Sequence, residues 1–596
     1  MKRIISVILS SLLICSAAAC SPDSGLSAPA DSTMGALSAE STSQTDEDKT
    51  DEAAVIDVNN LPSKVDLRNY DGKNYVTAVK RQAFGDCWSF GIAAAAESSY
   101  LYINDLGIPS SETNDQGLYK DNDNVNFSEK YLSWYVYHSI TQDDVKLGRV
   151  RESQVGEGYD TAGAEARNPN AAFLMGGALL SGMNIFSSGF GPVDESVEVN
   201  GKYPYAYNDE NVLKDDLEDY SPSGDWSIPL NAEYRNPPIA ASLRNGNLLP
   251  CPAAWDADGN YHFNEEGVTA IKYEIAQGHA VAFTALVFGR MNYDNWAAYT
   301  PDNDRNHVIT VIGYDDNFPK ENFEVTDKDG NKVEGSIPPT DGAFIIKDSS
   351  GEYGGFDGKG TYYISYHDHT MMDPISFEFD KADSVKYTEL NYDQYDCLFI
   401  GMCSKKDYDG ETKMANIFDA QEDEYLRQIT YRTKVFNTDV HYAVYKDVTD
   451  GDPTSGTLLE EGDNSHWFAG SHKIDLKDEY LLTKGEKYSI VLTMSYEADG
   501  KKTYTNVITY ATNVIPYGGS ENGQATVKGI VNKNESYLFT DGKWTDLTEL
   551  TDEYAQIALA EDAARGVPDT FKAHTIDRIA IDNFPIKGLS VPSDKH

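Results

Sequence analysis

The chain has 596 residues, of which 40% are hydrophobic and 11% aromatic, so it is long enough for more than one core and too apolar to be disordered throughout. Its formal net charge of −47 argues against nucleic acid as a partner, because phosphate contacts need clustered Lys and Arg. The six cysteines lack the C-x-x-C spacing of common zinc modules and are too few for a disulfide scaffold.

The first residues have the pattern of a secretory signal. Lys2 and Arg3 precede an apolar run, which small residues follow up to Cys20. Residues 1–19 are therefore predicted to be a signal peptide, and their ending resembles a bacterial lipoprotein signal, in which the cysteine is lipidated. This interpretation predicts an exported protein held at the bacterial cell surface by a lipid anchor on Cys20, with the membrane as a partner. An ordinary cleavage site, which would give a secreted protein, is the alternative.

An acidic flexible tether is predicted over residues 20–57, which are rich in Ser, Thr, Ala, Asp and Glu. A first folded domain is predicted over residues 58–380. Its first half is predicted to be helical, with one helix beginning at about Cys87 and others over Ser128–His138 and Asn170–Ser181.

The second half of this domain changes to strand patterns. After a predicted helix over Gly267–Ala276, β-branched and aromatic runs alternate with Gly, Asn and Asp. These runs are AVAFTALVF, HVITVIGY, GAFIIKD and GTYYISY. They predict an antiparallel sheet or barrel, with a cleft between it and the helical half.

Strand patterns also dominate beyond the first domain. Runs such as YLRQITYRT, VHYAVYKD and KYSIVLTMSY are separated by turn-rich pieces and show no helical period. They predict a β-sandwich over residues 381–560. Residues 561–596 are predicted to be a C-terminal tail. The predicted fold class is therefore α+β, with a domain of helical and antiparallel halves followed by an all-β sandwich.

Cys87 is the candidate nucleophile. It lies at the predicted start of a helix, where unsatisfied N–H groups and the helix dipole favour thiolate over thiol. A thiolate needs a partner that also protonates the leaving amine, and imidazole suits this at neutral pH. Of the 11 histidines, His307 is the best candidate, because it opens a predicted strand directly after the polar loop PDNDRN.

Two further residues complete the candidate site. Asp348 ends the strand GAFIIKD and can orient the imidazole if its strand neighbours that of His307. Gln82, five residues before Cys87, is a candidate oxyanion donor together with the Cys87 backbone N–H. An ordinary turn-forming role for Asp348 is the alternative.

The segments VDLR, VKRQAFGDCWSF, NHVITVIGYDD and GAFIIKDSSGEYGGFDGKGTYYISY, in that order, resemble the papain-like cysteine peptidases. The resemblance implies a two-lobed peptidase fold, a protein or peptide substrate and no cofactor or metal. It implies that Cys87 and His307 form the catalytic pair, that Asp348 orients it and that Gln82 lies in the oxyanion hole.

The resemblance also implies substrate-binding positions. Gly176 and Gly177 would run beside the substrate backbone, a role suited to residues without Cβ, and Trp88 would contact the substrate next to the nucleophile. Close helix packing is the alternative explanation of the two glycines. An H-x-H pair at His367 and His369 lacks a convincing third ligand, so no metal site is predicted there.

The chain departs from this family at three positions. Asp348 stands where the family usually has Asn, and its charge is expected to raise the pKa of His307. Ser350 replaces the Trp that usually shields the orienting residue, which predicts a pair more open to water. Gln82 is one residue nearer the nucleophile than is usual. In addition, residues 21–57 lack the hydrophobic pattern of an inhibitory propeptide.

The β-rich region, roughly residues 384–512, resembles the lectin-like sandwich that follows papain-like domains in some bacterial surface proteins. This implies a glycan or cell-surface ligand as a further partner. The function predicted is an exported, lipid-anchored cysteine endopeptidase. The alternative is a catalytically inactive papain-like surface protein that binds glycan or protein through its β-sandwich. A transglutaminase-like acyl transferase is a more distant alternative.

Overall fold

The structure is a computed structural model. It describes residues 58–113, 119–122, 124–146, 151–196, 225–229, 234, 237–256, 259–286, 290–302, 305–351, 355, 360–382, 402–512, 526–564 and 572–595. The predicted signal peptide, the tether and the lipidation position Cys20 lie outside the described residues.

The α-helices of the described residues are α1 (Cys87–Ile103), α2 (Glu129–Tyr135), α3 (Gln142–Lys146), α4 (Ala162–Glu165), α5 (Leu179–Ser187), α6 (Glu265–Ala276) and α7 (Thr551–Ala564). Helix α1 begins at the predicted residue. Helix α2 is capped by Ser128, whose hydroxyl accepts a hydrogen bond from the N–H of Tyr131. Within the described ranges, every helix is too short or too polar to cross a membrane.

The helix predicted over Asn170–Ser181 is interrupted. A 3₁₀ turn covers Ala171–Leu174, and four residues separate it from the start of α5. Between them Gly176 has a φ of 67°, and a Cβ on Gly177 would overlap the indole of Trp88. The prediction was wrong because Trp88 packs against this backbone, which therefore leaves the helical path.

The strands of the first part are β1 (Lys64–Asp66), β2 (Lys73–Asn74), β3 (Ile108–Pro109), β4 (Gly158–Asp160), β5 (Ala241–Leu248), β6 (Ala253–Trp255), β7 (Tyr261–Phe263), β8 (Val281–Ala285), β9 (Met291–Asn292), β10 (Ala297–Ala298), β11 (His307–Asp315), β12 (Ala343–Lys347), β13 (Thr361–Ser365) and β14 (Met372–Lys381). Those of the second part are β15 (Met402–Tyr408), β16 (Lys413–Asp419), β17 (Glu424–Thr433), β18 (Thr438–Lys446), β19 (Thr457–His466), β20 (Ala469–Leu482), β21 (Lys487–Ala498), β22 (Lys501–Thr512), β23 (Thr526–Lys528), β24 (Ser536–Thr540), β25 (Lys543–Asp546), β26 (Ile579–Ile581) and β27 (Ile586–Pro592).

The predicted antiparallel sheet is present in the first part, where β8, β11, β12 and β13 are consecutive neighbours. Helix α1 packs closely on β11, since a Cβ on Gly91 would overlap the side chain of Val308. The hydroxyl of Thr310 also donates to the carbonyl of Gly91 at 3.2 Å. This packing brings the start of α1 beside the start of β11.

One sheet runs through both parts of the chain. Its strand order is β27-β17-β20-β5-β14-β8-β11-β12-β13-β10-β9, with β1 paired to β11. Strand β20 pairs with β5 in antiparallel register, with Ala469 opposite Leu248 and His472 opposite Asn245. The two parts are therefore joined by backbone hydrogen bonds as well as by side chains.

A second sheet has the order β15-β22-β21-β16-β24-β25, with β18 paired to β21 and β19, and β26 paired to β22. It packs against β27, where a Cβ on Gly588 would meet the Tyr488 hydroxyl of β21. Apolar residues of both layers, such as Ile429 and Ile490, share one core, which makes this part a β-sandwich. The segment predicted as a C-terminal tail, 561–596, supplies β26 and β27, which pair with β22 and β17. These two short strands lacked enough sequence pattern to be found. The predicted α+β fold class is confirmed.

Candidate active site

Cys87 is the first residue of α1, and 1% of its surface is exposed. At this position the positive end of the helix dipole favours a thiolate. The structure thus puts the predicted nucleophile in the local environment that the sequence predicted.

His307 is the first residue of β11 and is buried. Its Nε2 forms a hydrogen bond of 2.8 Å with Oδ1 of Asp348, and its Nδ1 is buried without a hydrogen-bond partner of ordinary geometry within the described part of the chain. Burial alone lowers the pKa of His307. The charges of Cys87 and Asp348, and the hydrogen bonds that both make with the ring, outweigh burial and raise this pKa to about 10.

Asp348 directly follows β12, which is the neighbour of β11. The predicted orienting role of Asp348 required these two strands to be neighbours. Its Oδ1 also accepts a hydrogen bond of 2.7 Å from the Ser349 N–H, and its Oδ2 accepts one of 2.8 Å from the Ser350 hydroxyl. Burial raises the pKa of Asp348, but the charge of His307 and these hydrogen bonds outweigh burial and hold the pKa below its usual value. Both carboxylate oxygens therefore have donors, and the group is ionised at neutral pH.

The expectation that Ser350 leaves the pair open to water was wrong. The side chains of His307 and Asp348 are 6% and 3% exposed. Ser350 donates a hydrogen bond of 2.8 Å to Oδ2, the carboxylate oxygen that His307 does not contact. A hydroxyl at position 350 thus supplies the hydrogen-bond donor that a buried carboxylate at position 348 needs.

Gln82 is held by hydrogen bonds at both ends of its amide. Its Nε2 donates to the carbonyl of Phe84 at 2.8 Å, and its Oε1 accepts from the Ser349 hydroxyl at 2.6 Å. Its backbone N–H also donates to the Ser349 carbonyl at 2.9 Å. A side-chain amide carries two hydrogens on nitrogen, so one remains for an oxyanion. Sequence reasoning missed Ser349, although its position directly after Asp348 was the available signal.

Comparison with known proteins identifies the architecture. A family model described as a lectin-like domain matches residues 393–559. A structure of the clostridial cysteine protease Cwp84 after propeptide cleavage superposes with a TM-score of 0.56 at 17% identity, covering 89% of this chain and all of that one. A structure of the cysteine protease and lectin-like domains of Cwp84, a surface-layer-associated protein of Clostridium difficile, gives 0.55 at 16% identity over 90% of each chain.

The chain has the fold of a papain-like cysteine peptidase followed by a lectin-like domain. The resemblance found in the sequence is thus confirmed at the level of the fold. No curated protein matches the chain.

In this papain-like fold the predicted substrate-binding positions lie together but are buried. Trp88 is 0% exposed and packs behind Gly177, so it supports this backbone and does not offer a surface to a substrate. The carbonyl of Gly176 accepts a hydrogen bond of 2.8 Å from the Tyr137 hydroxyl. The expected contact of Trp88 with a substrate therefore does not fit the structure, because the close approach of Gly177 covers the ring.

A buried charge cluster that the sequence did not predict holds the segment carrying Gln82. The Lys80 ammonium contacts Glu97 at 3.1 Å and Glu129 at 2.5 Å, and burial raises the pKa of Glu129 to about 8. The Lys80 carbonyl accepts from the N–H of Gly351 at 3.2 Å. Scattered single residues supply this cluster, so only the folded chain reveals it.

The H-x-H pair is used structurally. His367 forms a hydrogen bond of 2.8 Å with the Thr340 hydroxyl, and His369 stacks on Tyr261 with ring centroids 3.5 Å apart. Among the described residues, no three His, Cys, Asp or Glu side chains are grouped to hold a metal ion.

Proposed function

We propose that this protein is a cysteine-type endopeptidase. The observation that carries the proposal is the buried arrangement in which Cys87 begins α1 while His307, bound through Nε2 to Asp348, keeps Nδ1 for the thiol. The Cys87 thiolate attacks the peptide carbonyl, and His307 protonates the leaving amine. His307 then takes a proton from the water that hydrolyses the acyl-enzyme.

Electrostatics support this assignment. The charges of Cys87 and Asp348 raise the pKa of His307 to about 10, which favours an imidazolium at neutral pH, the form that stabilises a neighbouring thiolate. The oxyanion that forms during attack would accept one hydrogen bond from the Cys87 backbone N–H and another from the second amide hydrogen of Gln82. All the groups that this reaction needs are supplied by the chain itself.

We further propose export and a lipid anchor on Cys20. The signal-like first 19 residues and the cysteine that follows them support this. A disulfide at Cys251 is consistent with an oxidising compartment. The association of Cwp84 with a surface layer suggests a similar setting, in which the lectin-like domain binds a glycan or a cell-surface protein.

Covalent labelling by an epoxide inhibitor of cysteine peptidases tests the proposal. We expect one label per chain on Cys87 and none in Cys87→Ala. Because Cys87 is 1% exposed, labelling is measured on the full chain and after limited proteolysis of the residues before Val58. Absence of labelling of folded protein in both forms, at any pH from about 5 to about 8, would contradict the proposal and favour the inactive surface-binding alternative.

Asp348→Asn is expected to shift the alkaline limb of the pH profile of kcat/KM. The Asp348 carboxylate favours protonated His307, so its removal lowers the pKa of His307. The pH at which activity is lost should therefore fall by about one to two units. Activity at neutral pH should stay within about tenfold, because an amide oxygen still accepts from Nε2. Asp499→Asn, at an exposed turn, is the control. An unchanged alkaline limb would show that Asp348 does not act on His307 by charge.

A further inference from the structure

Glu97 of α1 is a buried carboxylate with hydrogen bonds to three other positions of the chain. It lies ten residues after Cys87 on the same helix and is 0% exposed. Its Oε1 accepts hydrogen bonds from the Lys80 ammonium at 3.1 Å and from the Phe127 N–H at 2.7 Å. Its Oε2 accepts one from the Thr77 hydroxyl. Both oxygens therefore have donors, which hold the side chain in one position.

Two of these contacts hold the segment 77–82, which ends at the candidate oxyanion donor. Lys80 lies two residues before Gln82, and Thr77 lies five residues before it. The end of this segment also pairs by backbone hydrogen bonds with residues 349–351. The segment is thus attached by its backbone to the residues that follow β12, and by two side chains to α1.

The same carboxylate is linked to the strand that precedes Asp348. The Thr77 hydroxyl, which donates its hydrogen to Glu97, accepts a hydrogen bond of 2.8 Å from the Lys347 ammonium. Lys347 is the last residue of β12 and directly precedes Asp348. Burial lowers the pKa of Lys347 to about 8, and the charge of Glu97 opposes this lowering. The elements that carry the nucleophile, the oxyanion donor and the orienting carboxylate therefore meet at Glu97.

The other partners of Lys80 do not lie on α1. Its ammonium contacts Glu129, the first residue of α2, at 2.5 Å, and donates to the carbonyl of Phe127 at 3.2 Å. The charge of Glu195 also acts on it. Without the charge of Glu97, Lys80 would keep these partners and lose the one on the helix of the nucleophile.

We propose that Glu97 is a positioning residue for peptide hydrolysis, which fixes the amide of Gln82 relative to the thiol of Cys87. It acts through Lys80 and Thr77, so that the free amide hydrogen of Gln82 meets the oxyanion. A misplacement of about 1 Å at a reacting centre can cost about 10²-fold in rate, and an oxyanion donor stabilises only an oxygen within its reach. The inference rests on the proposed function and adds a residue to it.

Two variants of the full chain test this by different routes. Glu97→Gln removes the charge and keeps the shape, whereas Thr77→Val removes the hydroxyl and leaves every charge in place. We expect each to lower kcat for a fluorogenic peptide at least about tenfold, with KM changed by less than about threefold. Thr77→Ser retains the hydroxyl and should keep kcat within about threefold of the native value. Thermal unfolding shows which variants are folded, and Thr77→Val carries the test if Glu97→Gln is not.

Glu274→Gln is the matched control for the loss of a buried charge. Glu274 of α6 is 3% exposed, accepts a hydrogen bond of 2.6 Å from the Ser376 hydroxyl and forms one of 3.1 Å with His279. These partners belong to neither the segment 77–82 nor β12. The folded variant should therefore keep kcat within about threefold of the native value, even if its unfolding temperature falls.

Alkylation of Cys87 by iodoacetamide separates the position of Gln82 from a general effect on the thiol. The sulfur forms a bond to carbon as iodide leaves, and no oxyanion develops. The alkylation rate and its pH profile should therefore stay within about twofold of native in Glu97→Gln and Thr77→Val. A role confined to the fold or to the thiolate would instead lower alkylation together with hydrolysis.

A double variant tests whether Glu97 acts through Gln82. Added to Gln82→Ala, Glu97→Gln should lower kcat by less than about threefold further, because the amide that it positions is already gone. Losses that multiply in the double variant would overturn the inference. So would a kcat within about threefold of native in both folded single variants, an equal loss in Glu274→Gln, or alkylation that falls in step with hydrolysis.

The native chain distinguishes the two levels of the argument. A folded native chain that hydrolyses no peptide would overturn the proposed function and this inference together. Native hydrolysis that Glu97→Gln and Thr77→Val leave unaffected would overturn this inference alone.

Discussion

His307→Ala is expected to lower kcat/KM for peptide hydrolysis by about 10³-fold or more while the protein stays folded. The Nε2 of His307 is bonded to the Asp348 carboxylate, and its Nδ1 is buried and makes no hydrogen bond to another group among the described residues, so it is available to the thiol. Without the ring, the thiolate loses its counter-charge and the leaving amine loses its proton donor. Fluorogenic peptide hydrolysis and the rate of epoxide labelling measure both losses.

A matched control separates this effect from a general loss of structure. His574 is exposed, so His574→Ala should retain full activity. Thermal unfolding shows whether His307→Ala is folded, and His307→Gln provides a variant of closer size if alanine leaves too large a cavity. Turnover by folded His307→Ala within about tenfold of the native rate would contradict the catalytic assignment.

Gly470→Ala is expected to destabilise the protein by about 3 kcal/mol or more. Gly470 is the second paired residue of β20 with β5 and has a φ of 144°. A Cβ at this position would overlap the carbonyl oxygen of Gly246. Backbone atoms cannot move aside as a flexible side chain can, so the strands must separate locally. A shift of the urea midpoint to lower concentration measures the loss.

Gly485→Ala is the control for this prediction. Gly485 also has a positive φ, of 81°, but a Cβ there would meet no atom within 4 Å. Its replacement should therefore cost only the backbone strain, about 1 to 2 kcal/mol. Equal destabilisation by the two substitutions would show that the contact between β20 and β5 does not restrict position 470.

The chemistry of the candidate site was predictable because it depends on local signals. A cysteine at a helix start, a histidine that opens a strand and an aspartate that ends one can each be read from a few neighbouring residues. The condition left open was whether the strands of His307 and Asp348 are neighbours, and the pairing of β11 with β12 meets it. The catalytic roles of Cys87, His307 and Asp348 are proposals that this geometry supports.

Contacts between distant segments were not predictable in the same way. The interruption at Gly176 and Gly177 depends on Trp88, about ninety residues earlier in the chain. The burial of the pair of His307 and Asp348, against expectation, depends on how the surrounding segments close over it. Neither effect leaves a periodic pattern in the sequence, because each involves single side chains that meet only after folding.

The sequence by itself determined the order of helical and strand regions, the α+β class and the candidate residues Cys87, His307, Asp348 and Gln82. These follow from hydrophobic period, turn residues and residue chemistry, which are local properties. Only the tertiary structure decided that Ser349 and Ser350 orient the amide and the carboxylate, that β5 and β20 join the two parts in one sheet, and that Glu97 contacts Lys80 and Thr77. Strand register and side-chain proximity between distant segments depend on global packing, which local sequence patterns do not encode.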